Sequence, residues 1–383
     1  MTAAQNNRLF VAGSLIIGSA SLALDFYSHS CGLLLTPDSQ DYLAAATSFR
    51  TDQMLLNQHG SPYVYWPPLF PMILSLFGNP QAAMVWVNFF IKVIIGILLF
   101  RIAQKYIRHT GLQLSFMLVT LCGVHLLMIS VYLWSELIFL LLVLINFYAA
   151  LHHRLSRIYF ITLLTTGFMI CLQRNAGFFY VSAVSVWLLV HQDSSLISRL
   201  IISVIFFIVS VSGLSIWHVY VTNLHLAYRL DDYPFFENIS GNTFSLLISL
   251  GKFFLSGTVG VIIAILILVA SILYALRLQL LKGQLLLAFL IVVTYLPGLA
   301  FVEALPNDEM DRFLSVIIPF LCILIFAAAD QLFRHKNPGW RASVLVVLIC
   351  WNTYSLARTV TNAEIWHIGS CSAKMESEHS AGS

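Results

Sequence analysis

The sequence predicts an all-α polytopic membrane protein, and three observations carry that expectation. Of its 383 residues, 59% are hydrophobic and only 10% are charged, with a mean hydropathy of +0.86. A soluble domain has roughly a quarter of its residues charged and cannot hide this much apolar surface. Apolar runs recur near the length of about 20 residues that one crossing of the hydrocarbon core requires. The runs are continuous and do not alternate, which selects helices over a β-barrel. Disorder is excluded by the abundance of apolar material to bury. Nucleic acid is not expected as a partner, because net charge is only +3 and no basic run tracks a phosphate backbone.

The candidate spans are 9–24, 82–100, 112–129, 133–151, 158–172, 176–190, 200–221, 257–276, 284–300, 313–329 and 343–356, about eleven in all. The first lacks a small-residue cleavage site and reads as a retained helix. One domain is expected over 1–358, with residues 25–81 as its first outer loop and 359–383 as a short flexible tail.

Charge placement orients the chain. With the N-terminus in the cytoplasm, twelve Lys and Arg residues fall inside and seven outside, as the positive-inside rule requires. Lys92 falls within the second span, where a structural role is expected. The acids are more one-sided: only Asp193 and Asp330 of the seventeen fall inside. Outer connections are also the long ones, and long loops in a compact protein are usually functional. Cys31 and Cys371 both fall outside and can pair, whereas Cys122, Cys171, Cys322 and Cys350 read as small apolar residues within spans.

The first outer loop carries Thr36-Pro37-Asp38-Ser39-Gln40-Asp41-Tyr42. Pro37 favours a helix start, and Asp38 or Ser39 can cap it. A short interfacial helix over 39–49 gathers Tyr42, Leu43, Ala46 and Phe49 on one face. Asp38 and Asp41 then share the other side, one turn apart. Such a pair can supply a general base, bind a divalent cation, or only cap and solvate the helix. Downstream, His59 precedes the aromatic cluster Tyr63, Tyr65 and Trp66, which suits an interfacial belt or a wall for stacking sugar. Pro67, Pro68 and Pro71 shape the entry to the following helix.

The acid after the first span in an Asp-x-x-x-Tyr setting, followed by Pro-Pro-x-x-Pro before the second, resembles the GT-C glycosyltransferases. The likeness is to the branch of protein O-mannosyltransferases and lipid A aminoarabinose transferases. Ser135-Glu136 resembles the Ser-Glu at the outer start of the fourth span in many bacterial members. Gln173-Arg174-Asn175-Ala176-Gly177 resembles their Arg-x-x-Gly hinge, and Asp311-Arg312-Phe313-Leu314 with Pro319 resembles their late Asp/Glu-Arg-Tyr-Leu…Pro signature. The motifs keep the family order over roughly residues 9–329. Where the family often has Asp-Glu, this chain has Asp38-Ser39, which leaves the base open between Asp38 and Asp41.

The resemblance implies a GT-C-like helical bundle and an inverting transfer of a sugar from a polyprenyl-phosphate donor. The acceptor would be a hydroxyl of a lipid, glycan or protein, met at the outer face of a bacterial inner membrane. It implies Asp38 as base, with Asp41 as the second choice. Arg174 and Arg312 would hold the lipid phosphate, for which guanidinium is the natural partner. Tyr42, His59, Tyr65, Trp66 and Glu136 are candidates for contacts to sugar or acceptor, Glu136 also for pairing with an Arg. A divalent cation, Mg or Mn, would rest on Asp38 and Asp41. One of Asp308, Glu309 and Asp311 is placed to pair with Arg312. The acid- and aromatic-rich stretch 228–237 suits acceptor contacts or a solvated turn, and 244–254 reads as an amphipathic interfacial helix carrying Lys252. His125 and His218 read as hydrogen-bonded core residues. Two other functions fit the same composition: a transporter or flippase of lipid-linked sugars, and a noncatalytic subunit that keeps the fold. Convergence of Asp38, Arg174 and Arg312 on one place separates a catalytic protein from the latter.

Overall fold

The computed structural model describes residues 3–153, 156–190, 195–224, 235–277, 284–301, 307–334 and 338–381. Sixteen helices follow one another in this described chain: α1 (Ala3–Ser28), α2 (Pro37–Asp52), α3 (Leu69–Ser75), α4 (Pro80–Tyr106), α5 (Thr110–Leu121), α6 (Val124–Val131), α7 (Glu136–His152) and α8 (Arg157–Gln173). After these come α9 (Gly177–Val190), α10 (Leu196–Asn223), α11 (Phe235–Phe254), α12 (Gly257–Arg277), α13 (Gln284–Ala300), α14 (Asn307–Leu314), α15 (Ile318–Arg334) and α16 (Pro338–Ala381).

The expected all-helical membrane architecture is present, but its spans are of two kinds. Helices α1, α4, α10 and α16, and α5 with α6 taken together, are long and apolar enough to cross a bilayer. Helices α11 and α12 meet at a 90° bend and form one further span if counted together. Helices α7, α8, α9 and α13 are apolar but shorter. The shorter ones hold the interior. Helix α7 is buried on nearly every face, as expected of a helix that is hydrophobic all round.

Three expectations about boundaries need correction. Run 112–129 is not one uninterrupted helix, because the chain breaks at Cys122-Gly123 between α5 and α6. The late span starts at Ile318, preceded by the separate polar turn α14. Residues 359–381 are not a loose tail but the last part of the 44-residue α16. They are held by packing: Ala363 is buried, Trp366 meets the Tyr132 ring edge-on, and the Ser370 hydroxyl donates to the Ser28 carbonyl at 3.3 Å. A disulfide between Cys31 and Cys371 joins this segment to the end of α1, as the placement of the two cysteines allowed.

Lys92 has the structural setting expected of it. Its Nζ lies 2.9 Å from Asp25 Oδ1 and 3.4 Å from Ser130 Oγ, and the Ser130 hydroxyl also donates to Asp25. Asn88 adds a bond to the Ser130 carbonyl at 3.0 Å. This buried network ties α1, α4 and α6 together. At the opposite end, Asp330 accepts from the backbone N–H of Arg108 (3.1 Å) and His109 (2.9 Å), among the short basic connections.

Replacing Lys92 with Met leaves the Asp25 carboxylate buried without its cation. The expected loss is about 3–5 kcal/mol, read as a fall in the thermal midpoint in detergent. The double variant Asp25→Asn/Lys92→Met is expected to regain most of that loss.

Candidate functional site

Four helix ends deliver four charged side chains to one place. Asp38 lies in the first turn of α2 and Glu136 in the first turn of α7, while Arg174 is the C-cap of α8 and Arg312 lies in the last turn of α14. Each sign sits at the helix end whose dipole favours it: carboxylates at N-termini, guanidiniums at C-termini.

Local structure sets the register of these ends. Helix α2 is capped by Thr36, not by Asp38 or Ser39. The Thr36 side chain accepts from the Ser39 N–H, and Ser39 bonds back to the Thr36 N–H at 3.0 Å. With Pro37 opening the helix, Asp38 is released from capping and free to reach outward. The start of α2 is pinned to the start of α7 by a short parallel bridge, Leu34 N–H to Val131 carbonyl and Leu133 N–H to Leu34 carbonyl, both 3.0 Å. The Trp134 indole N–H donates to Thr36 Oγ1 at 2.9 Å, and the Ser39 hydroxyl to the Leu133 carbonyl at 3.0 Å. On the other side, the hinge after α8 turns tightly at Gly177, where a Cβ would come within 2.6 Å of the Ile170 carbonyl oxygen.

Glu136 is the hub. It is fully buried, at 0% exposure, and its Oε1 meets both Arg174 Nη1 and Arg312 Nε. Arg312 also binds Asp38, Nη1 to Oδ2 at 2.8 Å. Arg174 donates to the Ser135 hydroxyl at 3.0 Å, and the Gln173 amide donates to the Ser135 carbonyl at 3.1 Å. Aromatic faces enclose the guanidiniums. Arg312 lies 4.5 Å from the centre of the Trp134 ring, and Arg174 lies 5.3 Å from Trp66 and 4.6 Å from Phe313. Cation–π contacts of this kind gain strength when desolvated.

The cluster is incomplete in its hydrogen bonding. Arg174 Nη2, Arg312 Nη2 and the hydroxyls of Tyr42 and Tyr63 are buried without a partner. Burial pushes the Tyr42 phenol up to about 12 and raises that of Tyr63 well above its ordinary value. Both therefore remain protonated donors at neutral pH. Unpaired buried donors are costly, and here two guanidinium and two phenol groups in one neighbourhood are left without an acceptor. Asp38 differs from its neighbours in access: its side chain is 27% exposed, against 2% for Arg312.

The remaining predicted residues divide clearly. Tyr42 and Trp66 belong to the cluster. Asp41 does not share a site with Asp38; it accepts from the Gln58 N–H at 3.2 Å and so braces the loop. His59 and Tyr65 are exposed on that loop, His59 beside an Asn57-centred turn. Asp311 pairs with Lys252 at 3.1 Å rather than with Arg312. His125 is a buried core residue, as expected, with its ring 5.4 Å from that of Phe253. Residues 225–234, and with them most of the acidic stretch 228–237, lie outside the described residues, as does the Asp308 side chain. The two first-loop carboxylates are engaged separately, and no group of three His, Cys, Asp or Glu residues suited to a metal occurs among the described residues. The side chains here do not fit a cation held by Asp38 and Asp41. Tyr295 of α13, buried and within electrostatic reach of Arg174 and Glu136, carries no motif that would have singled it out.

Two solved structures share this fold. ArnT from Cupriavidus metallidurans bound to undecaprenyl phosphate superposes with a TM-score of 0.59 at 14% identity, covering 96% of this chain and 76% of that one. The same protein in the apo state gives 0.57 at 13% identity, covering 96% and 75%. The fold is thus the one that the ordered motifs implied. No protein-family model matches the chain, and no curated protein matches it significantly.

Glu136→Ala removes the carboxylate that two buried guanidiniums share. A destabilisation of at least about 3 kcal/mol is expected, measured by thermal unfolding of the purified protein. Asp41→Asn, which changes only the loop brace, is expected to cost about 1 kcal/mol or less.

Proposed function

We propose that the chain is a membrane glycosyltransferase that moves a sugar from a polyprenyl-phosphate donor to an acceptor hydroxyl. The observation that carries this reading is the convergence of Asp38 with Arg174, Arg312 and two unpartnered tyrosine hydroxyls. A lipid phosphate would bring acceptors to these spare donors, and bidentate guanidinium contact is the strong form of that recognition. The fold shared with ArnT, one of whose structures is bound to undecaprenyl phosphate, points to the same ligand.

The chemistry follows from the placement. Asp38 holds Arg312 through Oδ2, which leaves Oδ1 to take the proton of an acceptor hydroxyl. The acceptor oxygen forms a bond to the anomeric carbon as the bond from that carbon to the phosphate oxygen breaks. The electron pair departs with the phosphate, whose growing charge Arg174 and Arg312 stabilise. A single displacement of this kind inverts the anomeric centre. No step requires a metal ion. Glu136 acts on Arg174 and Arg312 as a positioning residue, holding both against the aromatic walls.

The reaction belongs to the outer face of the membrane. Cys31 and Cys371 pair at the end of α1, on the side of the bundle that carries Asp38. Disulfides persist in the oxidising compartment, which supports an inner-membrane protein with its N-terminus in the cytoplasm and its site outward.

The test uses purified protein in nanodiscs. Asp38→Asn is expected to lower transfer from native polyprenyl-phosphate sugars by about 10²–10⁴-fold while undecaprenyl phosphate still binds. Arg174→Ala is expected to weaken that binding by about tenfold or more. Undiminished transfer by Asp38→Asn would remove it from the mechanism, and transport in liposomes without a glycosyl product would replace the reading by a transporter.

A further inference from the structure

Away from this site, α1 and α4 are tied at two levels and part between them. Towards their basic ends the rings of Phe10 and Phe100 stack at 4.6 Å, and Gln104 bonds Asn7 at 3.5 Å. Towards the other end Lys92 meets Asp25 at 2.9 Å. Between the ties lies a predominantly apolar groove of about 420 Å³, closed behind by α5. Gly18 and Gly96 keep it open: a Cβ at Gly18 would meet nothing within 4 Å, and one at Gly96 only Leu121 at 3.8 Å. On α1 it runs from Val11 to Leu22, about 16 Å at the rise of an α-helix. That is one leaflet of a hydrocarbon core about 30 Å thick.

Two polar features mark the groove for a ligand. Ser14 lines it, is 8% exposed, and its hydroxyl has no hydrogen-bond partner, whereas nearby Ser21 donates to the Leu121 carbonyl at 2.6 Å. A buried hydroxyl without an acceptor is an unmet donor. At the mouth stands Arg101, exposed and with no ion-pair partner among the described residues, with Arg8 and Lys105 exposed on the same helix ends. The Phe10–Phe100 stack puts Arg101 level with the start of the groove. Ser14 is one turn, about 6 Å, deeper.

We propose that this groove binds one acyl chain of an anionic glycerophospholipid from the leaflet on the side of Arg8, Arg101 and Lys105. Arg101 takes the headgroup phosphate, the Ser14 hydroxyl donates to the ester carbonyl one step below it, and the chain lies along Gly18 and Gly96. The order cation, hydroxyl donor, apolar trough is the order phosphate, ester, hydrocarbon of such a lipid. Lys92, already committed to Asp25, closes the far end.

The full chain, reconstituted in nanodiscs of equal phosphatidylglycerol and phosphatidylcholine, is released for native mass spectrometry. Wild type is expected to retain one phosphatidylglycerol. Gly18→Leu sets its Cβ in open space within the groove and is expected to lose that lipid at an unchanged thermal midpoint. Arg101→Gln is expected to cut the preference for phosphatidylglycerol about fivefold, and Ser14→Ala to weaken retention about threefold. Equal retention of the two lipids by wild type, or undiminished retention by Gly18→Leu, overturns the proposal. Preferred retention of added undecaprenyl phosphate at the Gly18-sensitive place also overturns it, and assigns the groove to a polyprenyl tail. These readouts measure lipid retention and leave the transferase reading to its own assay.

Discussion

One buried carboxylate shared by two guanidiniums governs the arrangement of the helix ends around it. Glu136 alone cannot neutralise Arg174 and Arg312, and Asp38 supplies the second negative charge through Arg312. The four groups together are electrically balanced, which is the condition under which charges tolerate burial. Their hydrogen bonds are not balanced. A guanidinium presents five N–H donors in a fixed fork, and at least one nitrogen of each arginine is left without an acceptor. Charge neutrality stabilises the cluster by itself, while the spare donors are what the proposed phosphate ligand would engage.

That constraint explains the shape of the bundle around it. Glu136, Arg174 and Arg312 each sit at the end of a helix shorter than a full crossing, α7, α8 and α14. A helix that stops within the protein leaves its terminal charge to be satisfied by side chains rather than water. The short connection 132–134 between α6 and α7 serves the same end. With Val131 at the end of α6 it pairs with Leu34, and this pairing aligns the N-termini of α2 and α7 so that Asp38 and Glu136 can both reach Arg312.

The membrane character and the helical class were legible from composition alone, because burial in lipid leaves no other way to spend so few charges. Asp38, Glu136, Arg174 and Arg312 were legible as members of ordered motifs. Their mutual contacts were not, since residues up to 274 positions apart in the chain meet there. Asp41 misled for a local reason. Helical periodicity places it one turn from Asp38, but the returning loop claims its carboxylate through the Gln58 N–H, and no period encodes that. The length of α16 was missed because its polar outer residues fail a hydropathy test. They are stabilised instead by a disulfide and by packing on α1 and α6.

Two buried clusters of charge stand out among the described residues, and they differ in kind. At Lys92, one cation faces one carboxylate, and the ammonium also meets Ser130. The pair lies between long helices and holds them at a fixed spacing. At Glu136, two planar cations face two carboxylates at the ends of short helices, with aromatic walls on their faces and donors left over. An ammonium is a point charge that its neighbours can surround, whereas a guanidinium fork is directional and binds best to a planar or tetrahedral oxyanion. On the function proposed above, burial of charge is therefore not itself what marks the site. What sets the Glu136 cluster apart is guanidinium N–H groups left unused beside a carboxylate that remains open to solvent.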